Sequence, residues 1–170
     1  LRELPLVLDG ARLGLLVNNA GVLHGGERFG QVAEADLETS LRTNAIGPFL
    51  LTQALAPLLA DAEGDRPGAL VANLSSEIGS IAGRREFRTP SYAMGKAAQN
   101  MGTALLAKAL EPRGIAVVAL HPGWVSTDMG GPKAPLAPAD AVSALLQVLD
   151  GVRPEHSGRF LDGQGRELPW

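Results

Sequence analysis

The chain has 170 residues, 45% of them apolar and 19% charged, which suits one domain with its own core and excludes a disordered or highly charged segment. A net charge of −3 leaves no electrostatic footprint for nucleic acid or acidic lipid. The absence of cysteine excludes disulfide scaffolds, thiolate metal sites and cysteine nucleophiles. His24, His121 and His156 are too scattered to suggest a metal site. No apolar run spans a membrane and no basic-then-apolar leader opens the chain, so the expectation is a cytoplasmic protein.

In chain order, Leu13 to Val17 is a short apolar run ending in Asn-Asn-Ala-Gly, predicted as a buried strand followed by a loop. From Glu34 to about Ala60 the apolar residues Leu37, Leu41, Ile46, Leu50, Leu51, Leu55 and Leu58 recur at helical spacing, with Pro48 expected to kink or break the helix. Pro67-Gly68 is a turn, and Ala69 to Leu74 a second buried strand. An arginine-rich loop leads to a helix over Ser91 to Leu110, stopped by Pro112-Arg113-Gly114. Ile115 to Leu120 is a third strand. A loop rich in Pro and Gly precedes a helix from about Pro138 to Leu149, and Arg159 to Leu161 is a last short strand.

Strand and helix alternating, with strands that are continuously apolar, predict an α/β fold: a doubly wound parallel sheet over residues 1–170 as a single domain. Ligands in such sheets sit beyond the carboxyl ends of the strands, which singles out Asn18 and Asn19, Ser75 and Ser76, and His121 to Thr127.

Tyr92, the single tyrosine, stands four residues before Lys96, one of three lysines, so the two share a helix face one turn apart. A phenol titrates near pH ~10 and is a poor acid-base catalyst at neutrality. An ammonium about 4–5 Å away would favour the phenolate by roughly 3–4 kcal/mol at an effective dielectric of 20, an upper bound. By itself the spacing also fits an incidental surface pair. Ser75-Ser76 ends a strand sixteen residues before Tyr92 and offers a hydroxyl to an oxyanion, or else caps backbone. Asn18-Asn19-Ala20-Gly21 lets a flat ligand approach the backbone, or simply turns. Asn44, inside the long helix, either faces the site or solvent. No nucleophile elbow, phosphate-binding P-loop, zinc-binding HExxH or GxGxxG motif occurs.

Together LLVNNAG (15–21), Asn44 in RTNAIGPF, NLSSEIGS (73–80), YAMGK (92–96) and HPGWVSTDM (121–129) resemble the short-chain dehydrogenase/reductase (SDR) family in order and spacing over nearly the whole chain. SSEIGSI, PGWVSTDMGG and GRFLDGQGRELPW look most like its C-signalling-factor and sniffer-type carbonyl reductase branch. The resemblance implies a Rossmann-like fold and hydride transfer between NAD or NADP and a carbonyl or alcohol. Tyr92 would be the proton donor or acceptor, Lys96 would hold the nicotinamide ribose and lower the tyrosine pKa, Ser76 would bind the substrate oxygen, and Asn44 would order a relay water. Asn18, Ala20 and Gly21, with Tyr92 and Lys96, would line the cofactor ribose. Pro122, Gly123, Val125 and Thr127 would frame the nicotinamide, while Trp124, Met129 and stretch 131–138 would wall the substrate as a lid hinged at Gly130-Gly131. No metal is implied.

The resemblance further implies an N-terminally truncated fold, strands 4 to 7 of the family, with residues 1–10 as the tail of the preceding helix. The glycine-rich turn and the strand that chooses NAD or NADP would then be missing, and the first strand would be an unpaired apolar edge. Pairing into a dimer or tetramer through the two long helices is a further implication. The alternative to an enzyme is a signalling or interaction protein that keeps the fold, or an inactive fragment unable to bind cofactor.

Overall fold

The computed structural model describes residues 3–8 and 10–170. The elements are a short helix α1 (Leu4–Val7), β1 (Leu15–Asn18), α2 (Glu34–Leu41), α3 (Gly47–Leu55), β2 (Leu70–Leu74), α4 (Pro90–Leu110), β3 (Ala116–His121), α5 (Pro138–Gly151) and β4 (Phe160–Asp162). The expected helix at residues 1–10 is present as α1, with Leu1, Arg2 and Asp9 outside the described residues.

The strands form one sheet in the order β1-β2-β3-β4, every pair parallel. Leu15 lies beside Leu70, Leu70 beside Ala116, and His121 beside Asp162. Strand directions therefore agree, and all four carboxyl ends open on one edge. The central strands read VVAL-like because both faces are covered. On one face Val71 and Val117 pack against Leu106, Ala107 and Leu110 of α4, with Phe49 of α3 alongside. On the other, Ala72, Val118 and Leu120 meet Leu145 of α5. Burying each such Val or Leu contributes roughly 1.5–3 kcal/mol. β1 forms an edge of the described sheet, and its Leu15 and Val17 are 45% and 44% exposed, as expected for an apolar strand without an outer neighbour.

Several boundaries differ from expectation. The long helix is not one kinked rod: α2 passes into a π-helical turn, Arg42–Ile46, before α3 begins, and ends in a 3₁₀ turn at Ala56–Leu58 rather than near Ala60. Pro48 causes the break without sitting at it. Its ring crowds the carbonyl four residues earlier, that of Asn44, and it has no N–H to offer that carbonyl, so the preceding turn widens. Pro48 itself occupies the first turn of α3, where a missing N–H costs nothing. Asn18 and His121 belong to strands rather than loops, because ladder pairing with Asn73 and Asp162 carries them one residue further.

Candidate active site

Residues Tyr92, Lys96, Gln99, Asn100 and Thr103 recur along one face of α4, and all are buried against the sheet. Lys96 is only 3% exposed. Its Nζ donates to the carbonyl of Leu74, at the end of β2, at 2.6 Å, and to Oε1 of Gln99 at 3.0 Å. The ammonium lies over the Tyr92 ring, 5.6 Å from its centroid. Burial pushes the lysine down to about 8 from its ordinary 10.5.

Burial also raises the Tyr92 phenol above its ordinary value, with the neighbouring Ser76 hydroxyl pulling it partly back. This corrects the expectation that Lys96 depresses the phenol. The ammonium sits above the ring face and is tied to two oxygens of its own, and desolvation of the phenolate outweighs the Ser76 hydrogen bond.

Ser76 follows β2 and caps a 3₁₀ turn over Glu77–Gly79, its Oγ accepting from the N–H of Ile78 at 3.2 Å. Gly79 presses that turn onto α4: a Cβ there would stand 2.8 Å from the Lys96 backbone and Cβ. Ser75 points elsewhere, its Oγ donating to Oδ1 of Asn100 at 2.6 Å. Of the two serines, then, Ser75 ties sheet to helix and Ser76 is left toward the tyrosine.

Asn44 is fully buried within the π turn, which settles the choice left open by the sequence. Its Oδ1 accepts from the N–H of Val22 at 2.8 Å and its Nδ2 donates to the Val22 carbonyl at 2.9 Å, a two-point clasp on the loop after β1. That clasp sets Gly21 beside Lys96: a Cβ on Gly21 would come 3.7 Å from Lys96 Nζ and 3.4 Å from Asn44 Oδ1. Lys96 has used two of its three N–H bonds. A cradle bounded by the exposed backbone of Ala20 and Gly21, with one ammonium N–H to spare, fits the vicinal hydroxyls of a ribose.

Asn18 is buried, and its Nδ2 donates to Asn73 Oδ1 at 2.7 Å and Thr52 Oγ1 at 3.1 Å; Asn73 in turn donates to Thr103 at 2.9 Å. This ladder pins β1, β2, α3 and α4 together beneath the loop. Asn73, Asn100, Thr103 and Gln99 escaped the sequence reading. Their signal was an asparagine interrupting an apolar strand, and polar residues repeating on the Tyr92 side of a helix.

Beyond β3, Pro122, Gly123 and Val125 are half-buried and Thr127 is exposed. Gly123 has φ +88°, which favours glycine, and a Cβ there would also meet Leu136 at 3.2 Å. The following loop is cross-tied around the expected hinge at Gly130-Gly131, where Gly131 has φ +75° and open space about its Cα. Ser126 N–H donates to the Leu136 carbonyl at 2.8 Å, Trp124 Nε1 donates to the Gly130 carbonyl at 2.8 Å, and Gly130 is packed too tightly against Val125 to admit a Cβ.

At the same edge, His121 and Glu77 approach at 3.9 Å, and burial lowers the imidazole pKa against the opposing charges of Glu77 and Asp162. Among the described residues no helix is long and apolar enough to cross a membrane.

A parallel α/β sheet with an asparagine, a serine and a Tyr-x-x-x-Lys pair at its carboxyl edge defines the short-chain dehydrogenases. The chain belongs to that family, whose model, short chain dehydrogenase, matches residues 7–135. Members are oxidoreductases that use NAD or NADP. Among individual relatives, the chain is 46% identical over 158 residues to the protein named C-signal of Myxococcus xanthus, covering 92% of both chains. It is 32% identical to the short-chain dehydrogenase srdF of Neurospora crassa, covering 93% of this chain and 65% of that one. Among solved structures, the carbonyl reductase Sniffer of D. melanogaster superposes with a TM-score of 0.90 at 33% identity, covering 99% of this chain and 71% of its own. An NADPH-bound carbonyl reductase from chicken fatty liver gives 0.87 at 33% identity, covering 99% and 70%. The chain thus spans about two thirds of srdF, seven tenths of the two carbonyl reductases and nearly all of C-signal.

Proposed function

We propose that this chain carries the catalytic centre of an NAD(P)-dependent carbonyl reductase acting on a small carbonyl or alcohol. The observation that carries the proposal is the buried Lys96 ammonium beside Tyr92, with Ser76 at the same sheet edge. A bound nicotinamide supplies the hydride chemistry. Tyr92 donates the phenol proton to the substrate oxygen in reduction and recovers it in oxidation. Its raised pKa keeps that proton in place at neutral pH, the state reduction needs. The Ser76 hydroxyl hydrogen-bonds the same oxygen as charge develops on it. Lys96 and the backbone of Ala20 and Gly21 hold the ribose, over the floor that Asn18 secures. Pro122, Gly123, Val125 and Thr127 frame the nicotinamide ring. Asn44 contributes its backbone carbonyl, deprived by Pro48 of the usual donor four residues on, to a water that returns the proton.

Tyr92→Phe tests the assignment. Carbonyl reduction should fall at least ~10³-fold, as expected for removal of a positioned proton donor acting with an oxyanion partner, while cofactor binding changes little. Retained turnover in Tyr92→Phe would refute it.

The 46% identity to C-signal over 92% of both chains favours a second reading, a signalling or interaction protein that keeps the fold. A Tyr92→Phe/Lys96→Met double variant that loses turnover yet keeps full biological activity would select it.

A further inference from the structure

The last residues of the chain reach the segment that carries Ser76. After β4 the backbone reverses at Gly165, where φ is +76°, and runs back along the strand. Leu168 N–H donates to the Phe160 carbonyl at 2.8 Å, and Glu167 pairs with Arg159 at 3.0 Å. The Trp170 indole then stacks on Phe160, centroids 5.6 Å apart and planes 18° from parallel. Phe160 is fully buried in the sheet, so this stack anchors the tail to the core.

From that anchorage two successive carbonyls face the chain beyond the serine turn. Ser80, which is buried, donates its hydroxyl to the Pro169 carbonyl at 2.7 Å, and Ala82 N–H donates to the Trp170 carbonyl at 2.9 Å. The same Ser80 Oγ accepts from the N–H of Gly83 at 2.9 Å. Within segment 80–83 the Ser80 hydroxyl and the Ala82 N–H are thus engaged by the tail, and the Gly83 N–H by Ser80. At its other end, Gly79 lies against the Lys96 backbone with no room for a Cβ.

We propose that the Pro169-Trp170 tail is a latch, with Ser80 as its catch, that holds the Ser76–Gly83 segment against the Lys96 turn of α4 and so positions the Ser76 hydroxyl. The latch residues are positioning residues: Ser80 and Trp170 act through the placement of Ser76. The positioning role rests on the reductase reading above, whereas the latch itself does not. The arrangement explains why Ser80 is buried and makes two hydroxyl hydrogen bonds although Ile81, Ala82 and Gly83 after it are exposed.

Hydrogen-deuterium exchange on the full chain tests it, comparing wild type with Trp170→Ala, Trp170→Phe and Ser80→Ala. Peptides covering 77–86 should exchange on the order of 10-fold faster in Trp170→Ala and Ser80→Ala, while peptides in β3 keep wild-type protection and Trp170→Phe restores most of the loss. Unchanged exchange at 77–86 in both weakened variants overturns the latch; so does equal acceleration in β3, which would mean general loosening. Where carbonyl reduction is measurable, kcat should fall on the order of 10-fold with the cofactor KM within about 2-fold, because the ribose cradle meets Lys96 at its Nζ whereas the latched segment meets its backbone and Cβ. An unchanged kcat despite faster exchange overturns the positioning role. A wild type without any turnover counts against the reductase reading alone, and the exchange comparison still decides the latch.

Discussion

Lys96→Met removes a charge that the fold carries at a cost, and the cost has a pH signature. In the folded protein Lys96 loses its proton near pH 8, and in the unfolded chain near 10.5. Between those values the unfolded chain holds more protons, so stability rises with pH. The gain is about 1.4 kcal/mol per pH unit across that window, and about 2–3 kcal/mol from pH 7 to pH 10. At 3% exposure there is little solvent to screen the effect. Methionine keeps the apolar stem but leaves the Leu74 carbonyl and Gln99 Oε1 without their donor, a loss of about 1–3 kcal/mol that does not vary with pH. At pH 7 the two effects oppose, and the variant should be close to wild type in stability, while turnover is lost. By pH 10 wild type should be the more stable by about 2 kcal/mol. The comparison stops there because Tyr92, whose folded pKa is raised, makes stability fall as pH climbs past the ordinary phenol value. Urea unfolding of both proteins at pH 7, 8, 9 and 10 measures the difference curve. A difference that stays flat over that range refutes a buried, charged Lys96.

Two further outcomes follow from the geometry. Asn44→Ala breaks both bonds to the Val22 backbone and should cost about 2–3 kcal/mol in urea unfolding, together with weaker cofactor binding as the Gly21 loop drifts; a change under about 0.5 kcal/mol would show that the clasp is dispensable. Arg113 donates to the carbonyls of Ala56 and Leu59, each at 2.7 Å, where the helix after α3 ends. Arg113→Ala should therefore lower stability by about 2 kcal/mol, and Arg113→Lys should recover less than half in thermal unfolding, since one ammonium cannot span both carbonyls as the planar fork does.

The order of strands and helices was legible in the sequence because continuously apolar strands and a 3.6-residue repeat are local properties. LGLLV, ALVANL and IAVVAL became neighbours in a parallel sheet, and Tyr92 and Lys96 fell on one helix face by spacing alone. The five motifs in register also carried the family. What lay beyond the sequence was whatever depends on distances between remote segments. Pro48 announced a disturbance, yet the widened turn forms at the preceding residues, where the ring meets the Asn44 carbonyl. Asn44 stood open between the site and solvent until Val22, 22 residues away, claimed its amide. The pKa of Tyr92 moved opposite to the pairwise expectation, because a Coulomb estimate contains the charge and the separation but not the water displaced when α4 packs on the sheet. Nothing local linked Ser80 to Trp170, 90 residues on. Composition and periodicity determine which elements form and which residues they carry to the sheet edge. Burial, and therefore the protonation and orientation of those residues, exists only once the layers close.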